Sequence, residues 1–452
     1  MTEIGHCGWG LRITFGMSAI RFLIRAAIEG RLAALEEIGR AYPVAGAFRI
    51  GPRTGVIVNT PELVEEVLVH RTDEFRKGPA LRIHSRPLLG NGLLTSEGEE
   101  HRKHRKLVAP AFAHQRVPKY ADVMIDSART CCESWPASGV LDMHREMTRL
   151  TLAIVGTTLF DVDLLHDADD IGKHITELIR FATNQTRAPF SFPYSWPVPA
   201  NIRARRSVDH LNRTMFGMIQ RRRESGIDNG DLLSMLLMSR DDEGSTLSDE
   251  QVRDEAMTLF VAGHETTANA TTWALLLLAR HPDIQQHLQE QVRRVVGRRR
   301  IAFEDLPRLP LTLQVLKEAM RLYPPAFIIV REALHDLELR GGVRVRAGEI
   351  VAMCEYILHR RAEHFPDPTR FDPDRFTPEN EARLPRYAYF PFGAGRRICI
   401  GNQFALMEGQ IILATAMQHA SVSPAVNREI KGDPLLTLRP SGPVRLRVSR
   451  LS

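Results

Sequence analysis

Apolar residues recur at helical spacing along most of the chain, and strict alternation is confined to a few short patches. The helical pattern covers residues 99–112, 118–133, 141–160, 170–184, 203–223, 247–280, 310–322 and 402–418. A further helix opens at Pro61, where proline suits the first turn. The 247–280 stretch is unusually long and ends before His281-Pro282, where another helix begins. The 310–322 helix stops at Tyr323-Pro324-Pro325. Alternation marks paired strands at 48–51 and 54–59, a hairpin over Gly341-Gly342 and a terminal strand at 444–448. The pattern predicts a mainly α protein with small β-sheets (α+β) around one long central helix. No repeat, low-complexity tract or linker divides it, so we expect a single domain over 1–452, with 1–30 as an amphipathic extension. Residues 76–97 and 187–200 are rich in proline or glycine and read as irregular loops. In the second loop Phe190, Phe192, Tyr194 and Trp196 must pack on something, either as a local cluster or as a lid over an apolar site.

Composition narrows the class. With 43% apolar and 25% charged residues in 452, the chain can bury a sizeable core, which excludes a disordered or fibrous protein. Lys and Arg number 60 against 54 Asp and Glu, a net charge of +6 that falls short of a nucleic-acid-binding signature. Five cysteines form no CxxC pair and their number is odd, which favours a reducing, cytoplasmic compartment. The apolar run at 20–28 is interrupted by Arg21 and Arg25 and no small-residue cleavage site follows, so it is not read as a signal peptide. Thr258 to Leu278 is long enough to cross a bilayer, but His264, Glu265 and Asn269 in its middle would be expensive in lipid. It reads as a helix through a protein core, and no transmembrane anchor is expected.

One cysteine stands apart. Phe392-Gly393-Ala394-Gly395-Arg396-Arg397-Ile398-Cys399-Ile400-Gly401 places a thiol in a glycine-rich loop just before an apolar helix. The positive end of that helix and the neighbouring arginine predict a lowered thiol pKa. A buried cysteine in a merely structural loop is the bland alternative. A phosphate cradle is a poor one, because no Gly-Lys-Ser/Thr follows. In the long helix, Ala262-Gly263-His264-Glu265-Thr266-Thr267 sets an acid and a hydroxyl among apolar residues. Gly263 makes room beside a ligand, and buried Glu265 and Thr266 need water or a ligand to satisfy them. The alternative is a back-bonded threonine in a core helix.

These motifs resemble the cytochromes P450. Phe-x-x-Gly-x-Arg-x-Cys-x-Gly is that family's haem-binding loop, and its fixed positions recur by chance in roughly one chain of this length in 10⁴. The resemblance runs in order along the whole chain. Glu318-Ala-Met-Arg321 matches the Glu-x-x-Arg helix and Phe371-Asp-Pro-Asp-Arg375-Phe376 the segment whose arginine closes a structural triad. Alone, an i,i+3 ion pair on a solvated helix would mean little. His101-Arg-Lys-His-Arg105 matches the helix that holds a haem propionate, and Arg331 and Arg397 fit the other propionate positions, while Arg102, Lys103 and Lys106 read as solvated. The resemblance thus implies the P450 fold with the long helix beside haem b. Cys399 is then the iron ligand, Phe392 and Gly393 line the cofactor loop, and Gly263 lies beside the cofactor. Thr266 hydrogen-bonds bound oxygen, and Glu265 feeds protons through water.

The implied activity is that of a soluble bacterial-type haem-thiolate monooxygenase. It would hydroxylate a lipophilic molecule with O2 and two electrons from NAD(P)H through a ferredoxin or flavodoxin and its reductase. Both Glu265 and Thr266 are present, which disfavours a peroxygenase or isomerase. A haem or lipid carrier would have no use for that pair. Ala262 stands where ω-hydroxylases carry a haem-anchoring Glu, so covalent attachment is not expected. Leu81, Leu94, Phe181, Phe260, Ala262, Phe327, Ile328 and Leu436 are the pocket candidates, all apolar. They fit a fatty acid or a terpenoid- or steroid-like substrate. We expect a monomer. Arg396, the 102–106 run and Arg298-Arg299-Arg300 offer an acidic redox partner a basic face.

Overall fold

The computed structural model describes residues 30–50, 53–113, 115–164, 167–187, 192–239 and 246–451. The N-terminal extension, Cys7 and Phe190 lie outside them. Ten helices of eleven residues or more occur among the described residues: α1 (Arg31–Ala41), α2 (Gly98–Val108), α3 (Ala121–Glu133), α4 (Met143–Phe160), α5 (Ala168–Arg187), α6 (Pro199–Ser225), α7 (Asp249–Arg280), α8 (Pro282–Val295), α9 (Pro310–Leu322) and α10 (Asn402–His419). None of them is long and apolar enough to cross a membrane.

The chain folds into two compact units. The first gathers the described residues up to Gly78 with Ile328–Pro368 and Pro385–Ile398. Its frame is a five-stranded sheet in the order β1 (Ala45–Ile50), β2 (Arg53–Val58), β8 (Ile350–Met353), β5 (Ile329–Ala333), β3 (Phe75–Lys77). Only β2 and β8 run parallel; the other pairs are antiparallel. The predicted hairpin is β6 (Leu337–Leu339) with β7 (Val343–Val345). Gly341 and Gly342 take φ of 76° and 75° in its turn, which glycine adopts without strain. Val58, Val64, Val67, Phe75, Val351 and Met353 form the core against this sheet.

The second unit comprises Pro79–Phe327, Thr369–Leu384 and Cys399–Ser452. It holds α2 to α10 and two small sheets, β4 (Ser138–Asp142)–β12 (Arg445–Arg450)–β9 (Ala420–Pro424) and β10 (Gly432–Pro434)–β11 (Leu438–Pro440). The terminal strand β12 pairs on both edges, with β4 and β9. Those partners were missed, because each is five residues long and carries little alternation. Helix α6 begins at Pro199, four residues earlier than the pattern from 203 predicts, with proline at its first turn.

Helix α7 is bounded as its sequence requires. Ser248 accepts from the Gln251 amide and Gln251 returns a bond to the Ser248 amide, a capping box; Asp249 and Glu250 sit at the positive end and Arg280 at the negative one. Against α7 packs α4, held by a hydrogen bond from Thr151 Oγ1 to the His264 carbonyl (3.0 Å). A Cβ on Gly263 would meet Val155 of α4 at 3.0 Å. The missing side chain therefore also makes room for a neighbouring helix.

The Glu318–Arg321 pair of α9 is wholly buried, unlike the solvated pair its spacing alone would suggest. Arg321 grips the carboxylate through Nε (2.6 Å) and Nη2 (2.8 Å) and donates to the Arg370 carbonyl at 3.1 Å. The Asp372 amide adds a third donor at 2.9 Å, and Arg375 Nε stands 3.6 Å from Glu318. The triad thus closes between α9 and the 370–375 segment. Removing one member leaves an uncompensated buried charge. We predict that Arg321→Leu costs about 3–5 kcal/mol of folding stability by denaturant unfolding.

Candidate active site

Helix α7 is buried from Glu255 to Ala279 with three exceptions, Ala262, Gly263 and Thr266. Residues at i, i+1 and i+4 share one helix face, so these three form a single partly open stripe. Thr266 donates its hydroxyl proton to the Ala262 carbonyl at 2.9 Å, so the back-bonded alternative is realised at this residue. Phe260, expected to line a pocket, turns instead into the core. It is 2% exposed and meets Phe160 edge-on, with centroids 5.9 Å apart.

Protein donors surround the Glu265 carboxylate. Arg439 of β11 grips both carboxylate oxygens, with Nη2 2.5 Å from Oε2. Thr437 Oγ1 donates at 2.8 Å and Asn269 Nδ2 at 2.9 Å. Arg439 also donates to Thr176 Oγ1 of α5 at 2.9 Å. Burial pushes the Glu265 carboxyl up, but Arg439 outweighs it, with help from Thr437, and holds the group at about 2. The expected relay acid is thus a fixed anion in this conformation. Sequence reasoning missed Arg439, because nothing local in the chain ties residue 439 to residue 265.

The other predicted residues fall as follows. His101 is buried and Arg105 half-buried, four residues apart on one face of α2. Arg102, Lys103 and Lys106 are exposed, as expected of a solvated face. His104, passed over as part of that run, contacts Glu255 of α7 through Nδ1, and Glu255 Oε2 also accepts from the Leu93 amide at 3.2 Å. Phe181 is buried and meets Tyr194 edge-on at 5.8 Å. Phe192 and Trp196 stack on each other and stay exposed. The aromatics of that loop therefore divide between packing and surface. Leu81, Leu94 and Leu436 are half-buried and Phe327 buried; Leu436 immediately precedes Thr437.

In the first unit, Arg331 is buried on β5, and Arg397 donates to the Phe75 carbonyl at 3.4 Å. Phe392, Gly393 and Ile328 are half-buried. Gly395 has φ +66°, and a Cβ there would land 2.0 Å from the Leu68 carbonyl oxygen. Only glycine fits.

Cys399 opens the second unit's stretch of the loop. Of the described free cysteines it is the exposed one; Cys132 and Cys354 are buried and Cys131 intermediate. Protein atoms nevertheless crowd it. That desolvation raises the thiol above its ordinary value, outweighing the Gly401 amide and the Arg105 guanidinium, which pull it down. The lowered pKa expected from the helix end is corrected accordingly. The thiol is reachable, protein-ringed and followed by an apolar helix, and this donor fits a soft-metal macrocycle such as haem.

Comparison with known proteins identifies the family. The family model described as cytochrome P450 matches residues 32–447, and the chain belongs to that family. Cyclooctatin synthase of Streptomyces melanosporofaciens is 37% identical over 88% of this chain and 87% of its own. Cyclooctat-9-en-7-ol 5-monooxygenase of the same organism is 35% identical over 83% of this chain and 82% of its own. Among solved structures, the cytochrome P450DA heme domain superposes with a TM-score of 0.85 at 28% identity, covering 95% of this chain and 96% of that one. The protein is a P450 monooxygenase with the P450 fold.

The Arg439–Glu265 pair generates a pH prediction. With the folded carboxyl at about 2 and its ordinary value at 4.5, the pair's stabilisation is complete above 4.5 and is lost as pH falls toward 2. Between about pH 5 and 8 its contribution is flat. In Arg439→Gln, burial acts unopposed by the guanidinium and the carboxyl rises, so stability should decline with rising pH in that window. Denaturant unfolding across it checks the slope, and Arg439→Gln/Glu265→Gln should be flat again.

Proposed function

We propose that this enzyme hydroxylates a cyclic terpenoid, using O2 and two electrons delivered from NAD(P)H by a ferredoxin or flavodoxin and its reductase. The observation that carries the oxygenase chemistry is the open stripe Ala262–Gly263–Thr266 on a helix otherwise closed from Glu255 to Ala279, in a chain whose Cys399 thiol is reachable. The substrate class is supported by the cyclooctatin-related names of the two relatives and by the apolar character of Leu81, Leu94, Phe181, Phe327 and Leu436.

Haem held through Cys399 supplies dioxygen activation and C–H oxidation when bound. His101 and Arg105 are the proposed propionate partners on α2. The same role for Arg331 and Arg397 rests on their motif positions. Thr266 presents its hydroxyl oxygen on the open stripe while its proton is parked on the Ala262 carbonyl. A small rotation exchanges that acceptor for a ligand at the stripe. Glu265 stays ionised through its bond to Arg439, so it can accept a proton but holds none to give. Delivery from Glu265 therefore requires it to exchange Arg439 for water. Asn269 and Thr437 steady the carboxylate meanwhile.

Electrons arrive from outside the chain. The basic face offered for that docking is largely compensated within the protein. Arg300 is held by Asp122 and Asp126, Arg299 by Asp305, Arg396 by Asp73 and Arg102 by Glu99. Docking by these four arginines is thereby withdrawn. We keep a cytoplasmic monomer acting as one catalytic domain as part of the proposal.

Dithionite-reduced protein with carbon monoxide should show the strongly red-shifted Soret band of thiolate ligation, lost in Cys399→Ala. With a surrogate ferredoxin system, cyclic terpenes should shift the spin state and be hydroxylated. Thr266→Ala should lower product formed per NAD(P)H on the order of tenfold, the scale of one hydrogen bond, with substrate binding retained. Peroxide alone matching the reductase-driven rate would overturn the monooxygenase reading. A spin shift with fatty acids and none with terpenes would overturn the substrate class.

A further inference from the structure

Away from these residues, α5 and α6 bring three ligand-type side chains to one point. Asp170 and His174 are four apart on α5, hence on one face, and His210 projects from α6 against them. His210 Nε2 lies 2.9 Å from Asp170 Oδ2 and His174 Nε2 lies 3.7 Å from Asp170 Oδ1. The two imidazoles stack with centroids 4.3 Å apart and planes 25° from parallel, and both bring Nε2 to the Asp170 carboxylate; one ring must tilt out of the stack for the two lone pairs to meet at one ion. All three donor atoms fall within 4.8 Å of one another.

We infer that Asp170, His174 and His210 form a binding site for a borderline divalent cation, best suited to Zn2+, that ties α5 to α6. The geometry is close to what the ion needs. Tetrahedral Zn2+ with bonds near 2.0–2.1 Å sets its ligands about 3.4 Å apart; the observed 2.9 and 3.7 Å separations run to different oxygens of Asp170, so the carboxylate must turn to present one oxygen to both imidazoles. The ligand chemistry agrees, because two imidazoles and a carboxylate select Zn2+, Co2+ or Ni2+ over Mg2+ and Ca2+. The supporting shell is also in place. Ser207 Oγ of α6 lies 3.0 Å from His174 Nδ1, which fixes the ring and leaves Nε2 to face Asp170.

The site has access and a tolerable charge environment. It borders a cleft of about 550 Å³ whose lining includes His174, Ser207 and Lys173. All three ligand side chains keep some accessible surface, so an ion and one or two waters can enter. Of the cations lining the cleft, Arg203 is held by Glu177 and Arg145 by Asp169, and Lys173, Arg180 and Arg206 are the repulsive neighbours that an ion would meet. Hydrogen bonds alone would make the cluster an ordinary polar patch. The two readings differ in what they do with metal.

The test uses the full-length haem-loaded protein, stripped with chelator and dialysed against Zn2+. Elemental analysis should give one Zn2+ per chain, with a rise in unfolding temperature that Mg2+ does not reproduce. His174→Ala/His210→Ala should abolish both while leaving the carbon monoxide difference spectrum intact. Ser207→Ala keeps every ligand but frees the His174 ring, and should weaken binding by about 10–100-fold. It also serves if the double variant fails to fold. No stoichiometric Zn2+, or uptake undiminished in the variants, would overturn the inference.

Discussion

A helix of 32 residues threaded through the interior of the second unit must bury nearly its whole circumference, yet α7 carries Glu255, His264, Glu265 and Asn269. Each polar group taken out of water needs a partner or costs stability. The partners come from four directions. His104 of α2 meets Glu255, His144 of α4 meets Asn269 at 3.2 Å, and Arg439 of β11 meets Glu265 while binding Thr176 of α5. Satisfying one helix therefore positions other elements around it, and the stripe Ala262–Gly263–Thr266 stays partly open.

The thiol at Cys399 illustrates a balance that motif reading alone misjudges. A helix start and an arginine pull a cysteine pKa down, and both are present as the Gly401 amide and Arg105. Desolvation acts in the opposite direction and is larger. The same crowding is what a metal-bound thiolate requires, since it excludes water and keeps the sulfur's electron density directed at its metal. Burial favours the neutral thiol at Cys399, so any metal bound there would have to displace its proton.

Legibility in the sequence followed the range of the interaction. Helix 310–322 was placed to the residue, because proline punctuates it at both ends, and α7 within two residues, because its capping box is local. The Cys399 loop was recognisable for the same reason: Gly395 is fixed by a positive φ and by the Leu68 carbonyl, so its spacing cannot drift. Strand β4 was lost because its pairing with β12 is set some three hundred residues away, and β9 because its five residues carry little alternation of their own. Gly263 is ambiguous in cause, since a missing Cβ serves a neighbouring helix as well as a ligand. The basic runs were misread because carboxylates such as Asp122 and Asp126 neutralise them only in three dimensions.

Range also explains why Arg439 was not legible as the partner of Glu265, with a consequence for how such an acid works. A buried carboxylate gripped by a buried guanidinium is ordered and anionic, so it cannot act as a passive reservoir of protons. Its partner Arg439 reaches Thr176 on α5, the helix that also carries Asp170 and His174. Any shift of α5 strong enough to draw Thr176 away removes one of the bonds that orient Arg439, and so loosens its hold on Glu265. The hold on Glu265 is in this way mechanically linked to the placement of α5, without any ligand having to touch Glu265 itself.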